Sequence, residues 1–289
     1  MSVDTNKGNF KVMQGFFARG VDYWHGLYEG DAFLTRHMAD RKRIVLDLVE
    51  RYAGGQPRTI LDLGCGTGVL TLELLRRGHA VAALDCTREM LDRLRGGVAE
   101  AGFRTFRGAV EAYAQDTAFP TGYFDGIICI GVFQYQLSDD DLLREISRLL
   151  KPGGFCVFTL PNLLRLNYCL DPLYHLRFAA RLVRAAGRRL MKSRRAGQPR
   201  RWVSGESAHE AYPYNKKYVF WQLNAGIARH GLQVCEAVGF GYGPLTLLGR
   251  PILPETASIK FSGALDRLTG RRSVLRLVSN RWAFVVRKT

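Results

Sequence analysis

Ile60-Leu61-Asp62-Leu63-Gly64-Cys65-Gly66-Thr67-Gly68 is a short apolar run that leads into three glycines at alternate positions. Val69-Leu70-Thr71-Leu72-Glu73-Leu74-Leu75 follows with helical patterning. A short run so rich in apolar residues reads as a buried strand of a parallel sheet. The glycines let the chain turn tightly and let a ligand approach its backbone closely. The helix behind the turn offers free N–H groups at its N-terminus, where a nucleotide-like ligand can sit.

Downstream, Arg77-Gly78-His79 forms a turn and Ala80 to Leu84 a second buried strand, ending at Asp85. Thr87-Arg88-Glu89-Met90-Leu91 then starts a helix. One helix and one strand thus separate the glycine turn from Asp85, the interval a nucleoside ligand requires. A carboxylate there can accept both ribose hydroxyls; its competing role is a helix N-cap. Thr105 to Ala109 reads as a weaker third strand, followed by Val110-Glu111. Phe124-Asp125-Gly126-Ile127-Ile128-Cys129-Ile130-Gly131 suits a central parallel strand covered on both faces. Val132-Phe133-Gln134-Tyr135 comes next, and Ser138-Asp139-Asp140-Asp141 marks a helix N-terminus. That helix, Leu142 to Leu150, stops at Lys151-Pro152-Gly153-Gly154 before a fifth strand, Phe155 to Leu160. Upstream, Arg41 to Tyr52 has helical periodicity and ends at Gly54-Gly55-Gln56-Pro57.

The 289 residues have room for one large α/β domain with insertions or for two small ones, and 47% hydrophobic content provides a core. The net charge of +16 points to a negative partner: nucleic acid, anionic lipid or an acidic substrate. Six cysteines form no C-x-x-C pair and read as reduced small hydrophobes. No metal site is visible. The polar start, Met1 to Lys11, lacks the apolar core of a signal peptide, and the longest apolar runs fall short of a membrane span. These features read as a cytoplasmic protein, with peripheral membrane association open.

The glycine turn, F-D-G-I-I-C-I-G and L-L-K-P-G-G together resemble class I S-adenosylmethionine (SAM) methyltransferases, strongly from Val45 to Leu160 and weakly over the last two strands. Phe16, Tyr23, Trp24 and Tyr28 are spaced as in the N-terminal caps of small-molecule members, including quinone- and tetrapyrrole-modifying ones. The resemblance implies a Rossmann-like α/β fold: a seven-stranded, mostly parallel sheet with the last strand antiparallel and helices on both faces. It implies a helical cap and first core helix over 1–52, and a methyltransferase domain over 53–289 with insertions at about 161–211 and 244–279. It places SAM across the carboxyl ends of the first two strands. The cofactor residues it implies are Tyr23, Asp62, Gly64, Cys65, Gly66, Gly68, Asp85, Cys86, Met90, Val110, Glu111, Ile130 and Phe133, with Tyr23 on the methionine part. Val110 and Glu111 take the adenine contact because Ala109 stands where one common form of the motif has Asp. Tyr135, His175 and His209 are candidates for a catalytic base, although Tyr135 also suits a pocket wall and a loop histidine is often only a polar surface residue.

Between Pro172 and Gly205 there are ten Arg or Lys and no acidic residue. Leu173, Leu176, Ala180, Val183, Gly187 and Leu190 share one helical face and Arg177, Arg181, Arg184 and Arg188 another. Such a basic amphipathic helix fits a solvated cap over the active site, an anionic membrane surface, or nucleic acid. Further on, Tyr212 to about His230 reads as a helix, Gly231 to Glu236 as a strand, Pro244 to Ser279 as an apolar, basic insertion, and Trp282 to Lys288 as the closing strand. The expected function is methylation of a small, lipophilic or aromatic metabolite, at oxygen by family likeness. Nucleic-acid methylation is the weaker alternative, since Ile130-Gly131-Val132-Phe133 replaces the Asn/Asp-Pro-Pro-aromatic motif of base methyltransferases. A dehydrogenase fits poorly because Gly64-x-Gly66-x-Gly68 departs from GxGxxG. A SAM-binding docking or regulatory protein is the non-enzyme alternative, and the oligomeric state is left open.

Overall fold

The computed structural model describes residues 13–29, 32–176, 215–268 and 274–289. A helical stretch over 13–18 precedes α1 (Val21–Gly26) and the long α2 (Phe33–Ala53). There follow β1 (Thr59–Leu63), α3 (Val69–Arg76), β2 (Ala80–Asp85), α4 (Arg88–Ala101), β3 (Phe106–Glu111), β4 (Phe124–Cys129), α5 (Asp139–Leu149) and β5 (Leu150–Pro161). After β5 come α6 (Leu166–Leu170), α7 (Asn224–Arg229), β6 (Leu232–Phe240), the short hairpin β7 (Thr246–Leu247) and β8 (Arg250–Pro251), α8 (Glu255–Leu268) and β9 (Arg281–Lys288).

The main sheet has the order β3-β2-β1-β4-β5-β9-β6. Strands β1 to β5 pair in parallel, and β9 runs antiparallel to both β5 and β6. One apolar cluster joins α2, α3 and α4 to one face through Val45, Leu48, Leu74 and Leu94. The other joins α5 and α7 to the opposite face through Leu142, Ile146 and Ile227. Strand order reverses between β1 and β4, so a crevice opens at their carboxyl ends, where ligands of doubly wound sheets bind.

Several expected boundaries move. Helix α2 begins at Phe33, and β3 runs through Val110 and Glu111 because its pairing with β2 continues to Asp85–Glu111. Lys151-Pro152-Gly153-Gly154 lies inside β5, where the pairing with β4 shifts register between Phe124 and Gly126. The helix expected from Tyr212 is confined to Asn224–Arg229; the Tyr218 backbone instead pairs with Pro161 and Leu163. Cys169 and Cys235 are exposed and are not core hydrophobes. Of the expected basic amphipathic helix only 172–176 is described, as helix; its arginines lie outside the described residues.

Candidate active site

The carboxyl ends of β1, β2 and β4 open onto a cavity of about 1150 Å³, its mouth included. Its floor is the glycine turn. Gly64 and Cys65 donate their N–H groups to the Leu84 carbonyl at 2.7 and 2.9 Å, tying the turn to the end of β2. At Gly64 φ is +80°, and a Cβ would stand 2.3 Å from Cγ2 of Val132. Gly66 also has a positive φ, +53°, yet a Cβ there meets nothing within 4 Å. Gly66 therefore leaves its space to the cavity.

Asp85 is held by the same turn. Gly66 N–H donates to its Oδ2 and Thr87 N–H to its Oδ1, both at 2.9 Å. Burial raises the Asp85 pKa against the pull of those two N–H groups. Each oxygen accepts one backbone bond and keeps a lone pair for a further donor. Asp62, at the end of β1, is only 2% exposed. Its Oδ2 accepts the Thr71 hydroxyl at 2.6 Å. Burial, with Asp85 nearby, pushes its pKa up to about 7 against the Thr71 bond.

The N-terminal elements form the roof. Gln14 donates its side-chain amide to the Cys86 carbonyl at 2.5 Å, and His25 Nδ1 lies 3.1 Å from the Thr67 hydroxyl. Arg41 donates from Nη2 to the Tyr28 hydroxyl at 2.5 Å. Phe17 meets Tyr135 edge-on, their ring centres 5.2 Å apart, and Trp24 packs on Phe17 at 5.3 Å. Met13, Phe17, Trp24, Leu27 and Met38 give this wall an apolar surface.

Asp62, Gly64, Cys65, Gly66, Asp85, Cys86, Met90, Ile130 and Tyr135 come together around this cavity. Other expected site residues do not line it. Tyr23 is 41% exposed and edge-on to Trp24; Trp24, next in α1, and Tyr28, just after it, reach the cavity instead. Gly68 caps α3, and its missing side chain makes room for Leu94, whose Cδ1 a Cβ would approach to 2.3 Å. Val110 sits within β3, and Glu111 turns outward to pair with Arg88 at 3.0 Å. Phe133 is fully buried, its ring 4.8 Å from that of Phe158, because the short 3-10 turn at Phe133–Tyr135 sends it to the core and Gln134 and Tyr135 to the cavity. His175 is bonded to the Cys169 carbonyl at 2.8 Å and does not line the cavity. His209 lies outside the described residues. Burial raises the Tyr135 phenol's pKa, which keeps it protonated and unsuited to act as a base.

Residues the sequence did not single out complete the lining. Ala112 to Gln115 replace Val110 and Glu111 beside Asp85, and the buried Gln115 Oε1 accepts from no donor among the described residues. Arg41 shares the α2 face of Val45 and Leu48, at i, i+4 and i+7, so a charge on an apolar stripe was its signal. Arg281 had no local signal: only the antiparallel course of β9 brings its first residue to the cavity. No cluster able to hold a metal ion occurs among the described residues.

Residues 60–154 match the family model of a methyltransferase domain. The chain is 32% identical over 136 residues to a malonyl-[acyl-carrier protein] O-methyltransferase of Halalkalibacterium halodurans, covering 46% of this chain and 50% of that one. It is 28% identical over 117 residues to a ubiquinone biosynthesis O-methyltransferase of Chromobacterium violaceum, covering 40% and 50%. It thus spans about half the length of these curated relatives. The fold also matches a magnesium protoporphyrin IX methyltransferase of Synechocystis with bound SAM, with a TM-score of 0.58 at 11% identity over 97% of both chains.

Proposed function

We propose that the chain is a class I, SAM-dependent methyltransferase that methylates an oxygen of a small, lipophilic or aromatic metabolite. One observation carries this reading: a single cavity has the glycine turn and Asp85 on one side and an aromatic roof on the other. SAM supplies a methyl group already activated on a sulfonium sulfur. Asp85 is placed to accept ribose hydroxyls on its remaining lone pairs, and the unpartnered Gln115 Oε1 to accept an adenine amino group. The roof excludes water and aligns the acceptor, which is the protein's main contribution to a direct displacement. Oxygen is favoured by likeness to the malonyl and ubiquinone relatives. Calorimetry with SAM on the wild type and on Asp85→Ala tests the cofactor site, with binding weakened at least tenfold in the variant; equal affinities would defeat it. Labelled SAM incubated with fractionated cell extract then tests the acceptor: label in nucleic acid, rather than in small lipid-soluble molecules, would overturn that part.

A second feature supports contact with an anionic membrane surface. Leu170, Leu176, Leu247 and Leu248 are each more than half exposed. Asp171 ties their two segments together, accepting the Thr246 hydroxyl at 2.7 Å and Gly249 N–H at 2.8 Å. The acid-free basic run begins beside them in sequence. No helix among the described residues is long and apolar enough to cross a membrane.

A further inference from the structure

Arg41 and Arg281 enter the cavity from α2 and from the start of β9. The Arg41 guanidinium lies against the end of β4: a Cβ on Gly131 would stand 3.5 Å from its Nη1. Arg281 reaches the same end of the sheet and donates from Nη1 to Gln134 Oε1 at 3.3 Å. Arg165 stands behind them, just past β5, with its guanidinium 3.8 Å from the Tyr168 ring centre.

None of the three forms an ion pair among the described residues. Arg41 bonds the Tyr28 hydroxyl, Arg165 the Tyr168 hydroxyl and Arg281 the Gln134 amide, all of them neutral groups. The Nε atoms of Arg41 and Arg165 are buried and donate to nothing described. The group is costly in this state. Burial lowers the Arg281 pKa to about 10, helped by repulsion from Arg41 and Arg165. Burial and the same three arginines drive His37 down to about 3, so it stays neutral and adds no charge. All three are half-buried, and charges partly withdrawn from water are usually paired.

The two carboxylates of the cavity do not relieve them. Asp62 and Asp85 face the glycine turn and are bonded to Thr71, Gly66 and Thr87. The cofactor proposed above adds a sulfonium and an ammonium against one carboxylate, so its arrival makes the cavity more positive by one charge. One carboxylate also leaves guanidinium donors over. Among the described residues the cavity lining holds no other carboxylate, which leaves the second ligand to bring negative charge to the arginines.

We propose that the methyl acceptor is an oxyanion, a carboxylate or phosphate ester, gripped by Arg281 together with Arg41 while its apolar body lies under the aromatic roof. A planar guanidinium suits this role because it donates two parallel N–H bonds to one oxyanion. Gln134 holds the Arg281 fork in place and, being neutral, does not compete for it. The inference deepens the methyltransferase reading and rests on it.

The test uses the full chain saturated with S-adenosylhomocysteine and titrated with benzoate, phenyl phosphate and the neutral isostere benzamide. Benzoate or phenyl phosphate is expected to bind at least tenfold tighter than benzamide, and whichever is preferred names the oxyanion. Arg281→Gln is expected to abolish that preference while leaving S-adenosylhomocysteine affinity within about twofold, and Arg281→Lys to restore part of it. Equal binding of all three probes to the wild type overturns the proposal without any variant having to fold. Loss of S-adenosylhomocysteine binding in Arg281→Gln also overturns it, because the guanidinium would then serve the cofactor's own carboxylate; the methyltransferase reading survives that result. If wild-type protein binds no S-adenosylhomocysteine, both readings fall.

Discussion

Alanine at Gly64 drives a methyl group into Val132, whereas the same change at Gly66 points it into the cavity. Both positions have positive φ, where a side chain costs about 1–2 kcal/mol. Gly64→Ala adds overpacking of typically ~1–3 kcal/mol, so urea unfolding should show a loss of about 2 kcal/mol or more. Gly66→Ala should cost about 1 kcal/mol of stability but weaken S-adenosylhomocysteine binding at least tenfold, as read by calorimetry. Asp62 gives a prediction of a different kind. It stays protonated in the folded protein up to about pH 7, whereas an unfolded carboxyl ionises near ~3.9. Between these values the folded state holds the extra proton, so stability falls as pH rises from about 4 to about 7 and levels off above. Asp62→Asn should remove this contribution, leaving the one from Asp85. Urea midpoints across that window check it, and an unchanged slope in the variant would count against the assignment.

At the scale of elements, the cavity depends on segments that are short and far apart in sequence. The roof is fastened to the glycine turn by His25 and to Cys86, just after β2, by Gln14, although α1 has only 6 residues and no buried ones. Such a helix is marginal by itself and keeps its place through these bonds and its aromatic packing. The segment returning at Tyr218 is fastened more firmly. Its buried hydroxyl donates to the Phe133 carbonyl and lies 2.9 Å from Asp139 Oδ1, which also takes the Lys216 ammonium at 2.6 Å. Tyr218→Phe removes one of two donors to the Phe133 carbonyl, leaving it the Gln136 N–H at 3.2 Å, and should cost about 0.5–1.5 kcal/mol in thermal unfolding. Because Phe133 begins the turn that presents Gln134 and Tyr135, acceptor-side probes should bind more weakly in that variant.

Over the whole molecule, +16 of net charge is spread unevenly, with ten basic residues and no acidic one between Pro172 and Gly205. Near an anionic bilayer each Lys or Arg contributes about 1 kcal/mol, an attraction that salt screens. Co-sedimentation should therefore be strong with anionic liposomes at low salt, weak with neutral ones, and reduced by salt; equal recovery with both lipids would remove the membrane reading. The strands β1, β2, β4 and β5 and the glycine turn were legible in the sequence, because apolar runs, glycine spacing and helix stops are written in neighbouring residues. So was the place of Asp85, one βα unit on from the turn. Which way α1 faces was not, because consecutive residues of a helix face different sides and only docking selects Trp24 over Tyr23. The cavity wall beside Asp85 is made by Ala112–Gln115 and not by Val110 and Glu111, since pairing with β2 prolongs β3 by two residues. Local sequence thus determined the Rossmann-like core and the donor site, whose residues lie within a few tens of positions of one another. Tertiary structure alone brought Arg41 and Arg281 together across 240 residues of chain, because only the antiparallel insertion of β9 beside β5 returns the end of the chain to the mouth of the sheet.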